Sequence, residues 1–250
     1  MVVTVLTLIV VGAGTGTFVY RRFARGDLQG SVKGKPRGVV IFDFDGTLCD
    51  SFSCLLHSLQ KNAARYGIKE NVTMTPEEVR DYHAKDLFKK LKIPFYKLPL
   101  VLRDFRLQWD QERHCIKQKV QIKPLLEYLK KNNYAVGVVT SNSVANVHYF
   151  LGKENLASYF DFVGSSPSIF GKKHALKKAL KLMKKRPEYI VYVGDETRDI
   201  DAARGIGAEC VSVTWGMNSE KALLDAGSDV VCSSPEEIIH YLMRTHDSSE

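Results

Sequence analysis

Short apolar runs alternate with amphipathic stretches from Val39 onward. Most of these runs lack the alternation of apolar and polar residues that a strand with one solvated face shows. We therefore predict an α/β fold with a doubly wound parallel sheet, in which each strand is buried on both faces and helices cover the sheet. The predicted strands are Val39–Asp45, Ala135–Thr140, Phe160–Gly164, Tyr189–Asp195, Cys210–Trp215 and Asp229–Cys232.

About ninety residues separate the first two predicted strands, far more than one crossover helix needs. Three amphipathic patterns fill this interval, at Ser51–Tyr66, from Thr75 to Leu91, and from about Pro99 to Lys117. The second pattern begins with Thr-Pro-Glu-Glu, a capping box with proline at the first helical position. These patterns predict a small helical lid inserted directly after the first strand.

The amino terminus has the composition of a membrane anchor. Val2–Tyr20 contains nineteen residues without a charge, and three arginines follow within five residues. A helix of this length rises about 28 Å, close to the thickness of a bilayer core. The positive-inside rule then places the rest of a single-pass protein on the cytoplasmic side. A signal or targeting peptide remains the alternative. A dinucleotide-binding turn is rejected, because Thr17 stands where that fingerprint requires glycine.

These patterns together predict four segments. The predicted segments are a transmembrane anchor (1–22), a linker (23–37), a core in two pieces (38–50 and 125–245) and a helical cap (51–124).

The distribution of charge and the spacing of the cysteines argue against a nucleic-acid-binding protein and against a protein held together by disulfides or zinc. The formal net charge is +8, and five of these net charges fall within residues 1–37. The remainder has no basic face interleaved with aromatic residues, so we exclude nucleic acid as a partner. The five cysteines contain no C-x-x-C pair, which argues against a disulfide framework or a zinc site. Cys49 lies near two aspartates, but no histidine stands in a recognisable relation to it, so we do not assign it as a nucleophile.

Polar residues follow the carboxyl ends of the predicted strands, where ligands bind in parallel α/β sheets. Asp43 and Asp45 would lie on one face of the first strand, and two like charges at that distance require a cation. Carboxylates without a neighbouring histidine or cysteine favour Mg²⁺, and a lysine can supply further positive charge. The candidate residues at this edge are Asp43, Asp45, Thr140, Ser141, Asn142, Lys172, Lys173, Asp195 and Asp199.

Four motifs occur in a fixed order: D-x-D-G-T, an apolar run ending in Thr, a Lys, and G-D-x-x-x-D. This order resembles the haloacid dehalogenase superfamily of phosphatases. The segment VTWGMNSEKALLDAGSDVVCSSPEEI is similar to its phosphoglycolate-phosphatase-type branch. The resemblance covers roughly Arg37 to Leu242, and it implies a Rossmann-like core with a helical cap.

The resemblance also implies catalytic roles. Asp43 would attack phosphorus to form an aspartyl-phosphate, and Asp45 would act as general acid and then as general base. Lys172 would offset the charge of the phosphoryl group. We favour Lys172 over Lys173 because Leu176, four residues after Lys172, matches the family spacing.

The same resemblance implies a metal set and a phosphoryl-binding set. Mg²⁺ would be held by the Asp43 carboxylate, the Asp45 main-chain carbonyl and Asp195. Asp199 would act through water or by orienting Lys172. The phosphoryl oxygens would be held by Thr140 and the residues after it, Ser141 and Asn142.

Three functions remain open at this point. The first is a Mg²⁺-dependent phosphatase for a small phosphorylated metabolite similar to phosphoglycolate, with Arg65, Arg103 and Arg106 in the lid as candidates for binding a substrate carboxylate. The second is a sugar-phosphate mutase, which shares the motifs. The third is a catalytically silent scaffold tethered to a membrane.

Overall fold

A computed structural model describes most of the chain. The described residues are 7–11, 18–22, 35–68, 79, 82, 84–166, 171–183 and 187–247.

The strands of the described residues form one eight-stranded sheet with the order β1-β2-β5-β4-β3-β6-β7-β8. Six neighbouring strands, from β5 to β8, are parallel, and β1 and β2 extend the β5 edge in antiparallel pairing. The strands are β1 (Thr7–Val11), β2 (Phe18–Arg22), β3 (Val39–Phe42), β4 (Ala135–Thr140), β5 (Phe162–Ser165), β6 (Ile190–Gly194), β7 (Glu209–Val213) and β8 (Val230–Cys232).

The six predicted strands are all present; the bounds of β4 are as predicted, and those of the other five differ by at most three residues. The central strand β3 is fully buried, as its unbroken apolar sequence requires. Connections run in one direction from β3 through β4 to β5 and in the other from β6 to β8. The order of the strands therefore reverses between β3 and β6, which creates a crevice at their carboxyl ends.

Helices cover both faces of the sheet. Three of them, α5, α6 and α10, contribute to the hydrophobic cluster that includes Val40 and Phe42, and α7, α8 and α9 contribute to the cluster that includes Val39 and Ile41. The helices are α1 (Phe52–Lys61), α2 (Ala63–Tyr66), α3 (Ala84–Lys90), α4 (Leu98–Glu112), α5 (Lys123–Lys131), α6 (Val144–Lys153), α7 (Lys172–Leu182), α8 (Thr197–Arg204), α9 (Glu220–Asp225) and α10 (Pro235–Leu242). The doubly wound arrangement predicted from the sequence is confirmed.

Helices α1 to α4 lie between β3 and β4 in the chain, and we call these helices and the residues that connect them the cap. They share a separate hydrophobic cluster that includes Leu59, Tyr66 and Val101. The third predicted cap helix is α4, whereas the capping box of the second, at 75–78, lies outside the described residues. The predicted division into a core (38–50 and 125–245) and a cap (51–124) stays a prediction.

The aspartates after β3 differ from their predicted placement. Strand β3 ends at Phe42, so Asp43 and Asp45 do not stand side by side on one face of a strand. The intervening Phe44 is fully buried and packs against Phe150 and Trp109, with ring centroids 5.3 Å and 5.9 Å away. Ending the strand early lets two like charges find different partners, which relieves the repulsion that a shared strand face would impose.

The amino-terminal helix predicted over residues 1–22 is not what the structure shows. Thr7–Val11 and Phe18–Arg22 are strands that pair with each other, and the second also pairs with β5. The segment is rich in valine and threonine, whose branched Cβ atoms favour strands, and this preference outweighs the length argument for a helix. Residues 1–6, 12–17 and 23–34, the last within the predicted linker, lie outside the described residues.

No helix within the described part of the chain has both the length and the apolar composition needed to cross a membrane. The predictions of a membrane anchor and of a cytoplasmic orientation depended on that helix, so the structure gives them no support.

Candidate active site

The chain brings the predicted acidic residues together at the carboxyl ends of β3 and β6. Asp43 follows β3 directly, is 1% exposed, and donates its backbone N–H to the Val193 carbonyl at 2.8 Å. Asp195 follows β6, and Asp199 lies in the first turn of α8; both are fully buried. One carboxylate oxygen from each of the three aspartates lies within 4.8 Å of the others. Such a group of buried carboxylates requires positive charge.

Lys172 supplies part of that charge. It is the first residue of α7, is 5% exposed, and donates from Nζ to Asp43 Oδ2 at 2.6 Å and to Asp199 Oδ1 at 2.5 Å. The neighbouring Lys173 is exposed. The structure therefore places the favoured lysine, Lys172, among the carboxylates.

The pKa directions follow from burial and charge. Burial raises the pKa of Asp43 to about 7, and the Asp199 charge raises it too, although Lys172 opposes both. Burial likewise raises the pKa of Asp195 well above its usual range. For Lys172, burial lowers the pKa, but Asp199 and Asp43 together outweigh burial and the net shift is upward. Lys172 and, to a smaller extent, Arg198 lower the pKa of Asp43, yet its net shift stays upward. The carboxylates are thus still short of positive charge, and a divalent cation fits this donor set of hard oxygens.

Asp195 is held in place by groups that the sequence analysis did not identify. The Thr47 hydroxyl donates to Asp195 Oδ1 at 2.5 Å, and the Met217 N–H donates to Asp195 Oδ2 at 2.7 Å. The sequence carried a weak signal for both, since Thr47 belongs to D-x-D-G-T and Met217 to the segment after β7. A backbone donor has no residue-type signature, so Met217 could not be identified from its side chain.

Asn218, next to Met217, links Asp195 to the cap. Its N–H donates to the Asp195 carbonyl at 3.1 Å, and its side-chain Nδ2 donates to the Tyr82 carbonyl at 3.0 Å. Its Oδ1 accepts from the Thr197 N–H at 3.0 Å. One buried side chain therefore touches the start of α8 and a described residue of the cap at the same time.

Asp199 uses both of its oxygens within the protein. Oδ1 accepts from Lys172, and Oδ2 accepts from the Glu196 N–H at 3.0 Å, as part of a capping box at the start of α8. The bond to Lys172, together with the place of Asp199 in the helix cap, suits a residue that orients Lys172.

Asp45 lies apart from the three-carboxylate group. Asn142 donates from Nδ2 to both oxygens of Asp45, at 3.2 Å and 3.0 Å. The Asn142 amide is fixed in turn, because its Oδ1 accepts from Asn146 Nδ2 at 2.9 Å. Burial raises the pKa of Asp45, while the hydrogen bond from Asn142 opposes that rise. A carboxyl group with a raised pKa can carry a proton nearer neutral pH than an ordinary aspartate can.

The loop after β4 forms the third side of the site. Thr140 is 2% exposed, and its hydroxyl accepts from the Asn142 N–H at 2.9 Å. The Ser141 carbonyl accepts from Arg106 Nη2, on helix α4 of the cap, at 2.9 Å.

Cys49, which the sequence did not support as a nucleophile, is buried, and burial raises the pKa of its thiol. Its sulfur is therefore protonated at neutral pH, which agrees with the rejection.

A cleft lies between the cap and the core, beside Asp45, Asp195 and the loop after β4. Asp45, Ser141, Asn142, Asp195 and Arg198 line its core side. The cap side is largely apolar, with Arg106 among the apolar side chains Phe52, Leu55, Leu59, Leu87, Phe88, Leu91, Val101, Leu102 and Phe105.

Gly46 gives a direct test of the geometry around Asp195. Its φ is +80°, and a Cβ there would lie 2.1 Å from Asp195 Oδ2, which Thr47 and Met217 hold in place. We expect Gly46→Ala to weaken Mg²⁺ binding at least about 10-fold, measured by titration calorimetry. Gly207→Ala is the matched control, because Gly207 has a φ of +71° but a Cβ at that position would meet nothing within 4 Å. Equal Mg²⁺ affinity in the two variants would contradict the proposed role of Asp195.

The comparisons with known proteins agree with this geometry. Residues 40–213 match the family model described as haloacid dehalogenase-like hydrolase. The chain is 28% identical over 200 residues to a phosphoglycolate phosphatase of Synechococcus elongatus, covering 80% of this chain and 94% of that protein. It is 27% identical over 214 residues to the pyrophosphatase PpaX of Bacillus mycoides, covering 82% of this chain and 96% of that protein.

Solved structures show the same fold. The crystal structure of a predicted phosphatase from Clostridium acetobutylicum aligns with a TM-score of 0.69 at 20% identity, covering 84% of this chain and all of that one. A haloacid dehalogenase-like family hydrolase from Streptococcus pneumoniae aligns with a TM-score of 0.67 at 22% identity, covering 82% of this chain and 97% of that one.

Proposed function

Since the chain belongs to the haloacid dehalogenase-like hydrolase family, we propose that it is a Mg²⁺-dependent phosphatase that hydrolyses a small phosphate monoester through an aspartyl-phosphate. The observation that carries this proposal is the group of Asp43, Asp195 and Asp199, with Lys172 bonded to two of them at 2.6 Å and 2.5 Å. Phosphoryl transfer needs a positioned nucleophile and positive charge around the equatorial oxygens, and this group offers both.

Asp43 is the nucleophile in this proposal. A bond forms between its carboxylate oxygen and phosphorus while the bond from phosphorus to the leaving oxygen breaks. Lys172 orients Asp43 and lowers its pKa, which opposes the burial that favours the protonated form. Asp199 positions Lys172 from the other side.

Asp45 is the general acid and base. It gives its proton to the departing oxygen, and it then accepts a proton from the water that attacks phosphorus and releases Asp43 and phosphate. Asn142 bonds to both Asp45 oxygens, which fixes the carboxyl group at the mouth of the cleft. The leaving group must therefore occupy the cleft beside Asp45.

The Asp43 carboxylate, the Asp195 carboxylate and the Asp45 carbonyl would hold Mg²⁺. When bound, the ion neutralises charge on the phosphoryl oxygens and on the carboxylates. The Thr47 hydroxyl and the Met217 N–H keep Asp195 oriented for this purpose. Thr140, Ser141 and Asn142 form the loop that would receive the phosphoryl oxygens not facing the metal.

The names of the relatives guide the choice of substrate. One relative is named for phosphoglycolate and another for pyrophosphate, and both compounds are small and contain a terminal phosphoryl group. We propose a small phosphorylated metabolite of the phosphoglycolate kind as the substrate.

Phosphate release by the full-length chain tests this function. The substrates are 2-phosphoglycolate, pyrophosphate and p-nitrophenyl phosphate, each assayed with Mg²⁺, after chelation with EDTA, and after Mg²⁺ is restored. We expect EDTA to lower the rate at least about 100-fold and Mg²⁺ to restore it. A sugar monophosphate is added as a fourth substrate: an isomer formed from it without phosphate release would support the mutase. The absence of turnover with all four compounds would support the scaffold.

A further inference from the structure

The three cap arginines that the sequence could not separate differ in their surroundings. Arg65 Nη1 lies 3.1 Å from Asp104 Oδ2, and Arg103 Nη2 lies 2.9 Å from Asp104 Oδ1. Asp104 is 6% exposed, so both arginines are fixed around one buried carboxylate inside the cap. Neither arginine is among the described residues that line the cleft.

Arg106 occupies a different position. It lines the cleft, is partly buried, and donates from Nη2 to the Ser141 carbonyl at 2.9 Å. Ser141 belongs to the loop that also contains Asn142, the hydrogen-bond partner of Asp45. Arg106 therefore carries a positive charge from the cap to the side of the site where Asp45 meets the leaving group.

The rest of the cap wall offers little to an anion. The neighbouring cap side chains at the cleft are apolar, among them Phe52, Leu55 and Phe105. Arg198 lies on the core side of the cleft, where its Nη2 donates to Glu196 Oε1 at 2.5 Å and its buried Nε has no hydrogen-bond partner among the described residues. Arg106 is therefore the arginine that the cap contributes to the cleft lining. Apolar walls weaken competition from water and strengthen a charge-assisted hydrogen bond.

We propose that Arg106 binds an anionic group on the leaving-group side of the substrate, and that the enzyme thereby selects phosphate compounds whose leaving group is itself charged. This inference rests on the proposed function, because the position of Asp45 as general acid defines where the leaving group lies. A carboxylate and a second phosphate both satisfy the same chemistry. Arg106 is thus a specificity-determining residue, and Arg65 and Arg103 are structural.

The experiment compares kcat/KM in the full-length chain with Mg²⁺ for four compounds. Two have a charged leaving group, 2-phosphoglycolate (a carboxylate) and pyrophosphate (a phosphate). Two have an uncharged leaving group, ethyl phosphate (close to phosphoglycolate in size) and phenyl phosphate (apolar). The variants are Arg106→Met, Arg106→Lys and the control Arg103→Met, whose side chain is paired with Asp104 away from the cleft.

In Arg106→Met, we expect the ratio of kcat/KM for phosphoglycolate to kcat/KM for ethyl phosphate to fall roughly 10- to 100-fold. A decrease of this size corresponds to the loss of one charge-assisted hydrogen bond. Arg106→Lys should recover part of this ratio, and Arg103→Met should leave it within about 3-fold of the wild-type value. Pyrophosphate tested in the same way shows whether a phosphate is accepted in place of the carboxylate. An unchanged ratio in Arg106→Met, or a wild-type preference for phenyl phosphate, would overturn the inference.

A binding measurement separates failure of this inference from failure of the proposed function. Calorimetric titration of 2-phosphoglycolate and of ethyl phosphate into Asp43→Asn, with and without Arg106→Met, needs no turnover. We expect the added Arg106→Met change to weaken phosphoglycolate binding roughly 10- to 100-fold more than ethyl phosphate binding. Equal weakening, or no detectable binding of phosphoglycolate, refutes the role of Arg106. Binding that depends on Arg106 without any hydrolysis by the wild type refutes the proposed function, and only the role of Arg106 in binding the anionic group then stands.

Discussion

Replacing Asp43 with asparagine is expected to lower kcat at least ~1,000-fold for every substrate. Asparagine has nearly the same shape, but its amide cannot form the aspartyl-phosphate. The substitution also removes a buried carboxylate whose pKa is raised to about 7, mainly by burial. We therefore expect little decrease in the free energy of unfolding. Lys172 keeps Asp199 as a partner. The measurements are steady-state phosphate release and thermal unfolding.

Asp50→Asn is the matched control for that variant. Asp50 lies seven residues later, its side chain is 41% exposed, and it pairs with Lys119 at 3.1 Å. We expect this control to keep the wild-type kcat within about 3-fold, since Asp50 belongs neither to the described cleft lining nor to the three-carboxylate group. Appreciable turnover by Asp43→Asn, with a normal melting temperature, would remove Asp43 from the role of nucleophile.

Lys172→Met is expected to damage both activity and stability. Its ammonium group is the hydrogen-bond partner of Asp43 and Asp199, and all three side chains are buried. Removing one member of a buried charged group typically costs about 3–5 kcal/mol, because the remaining charges are left without compensation. We expect a loss of that size in the free energy of unfolding of the Mg²⁺-free protein, measured with urea at neutral pH. We also expect kcat to fall by about 1,000-fold or more.

The pH dependence of the Lys172→Met defect gives a second readout. Carboxyl groups whose pKa is raised in the folded state hold protons that the unfolded chain releases. These groups therefore destabilise the folded state more as the pH rises, and less as the pH falls. The loss of stability should therefore be smaller at pH about 5 than at pH about 8. Lys173→Met, one residue later and exposed, should change neither stability nor kcat appreciably. A similar loss in both variants would show that the charge of the helix, rather than the buried ammonium group, matters.

The sequence was sufficient to predict the parallel sheet and the convergence of its acidic residues. Continuous apolar runs can be buried only between two layers of helices, and the carboxyl ends of parallel strands meet at one edge of the sheet. Asp43 and Asp195 therefore had to lie close together once both strands were assigned. Lys172 was harder to identify, because only the position of Leu176, four residues later, distinguished it from Lys173.

Other features depended on tertiary contacts that the sequence does not display. Asp43 and Asp45 were predicted to share a strand face, but β3 ends at Phe42, and Asp45 accepts from Asn142 Nδ2 instead of lying beside Asp43 on the strand. The amino-terminal apolar segment fits a membrane helix by length, yet its described parts pair as strands with the sheet. Composition alone does not decide whether the backbone of such a segment makes its hydrogen bonds within a helix or between strands.

The three cap arginines illustrate the same limit. Arg103 and Arg106 lie three residues apart on α4, so helical periodicity places them near each other. Only the position of the buried Asp104 and of the Ser141 carbonyl separates them, and neither contact has a local sequence signature.

Chemical trapping of the phosphorylated residue is the most direct measurement of whether Asp43 accepts the phosphoryl group. The full-length enzyme is mixed with Mg²⁺ and its most rapidly hydrolysed substrate, quenched within one turnover, reduced with borohydride and digested for mass spectrometry. An acyl phosphate at Asp43 is reduced to homoserine, so we expect homoserine at position 43 only when substrate and Mg²⁺ are both present. Phosphate release with unmodified Asp43, or with the reduced residue at another position, would contradict the account.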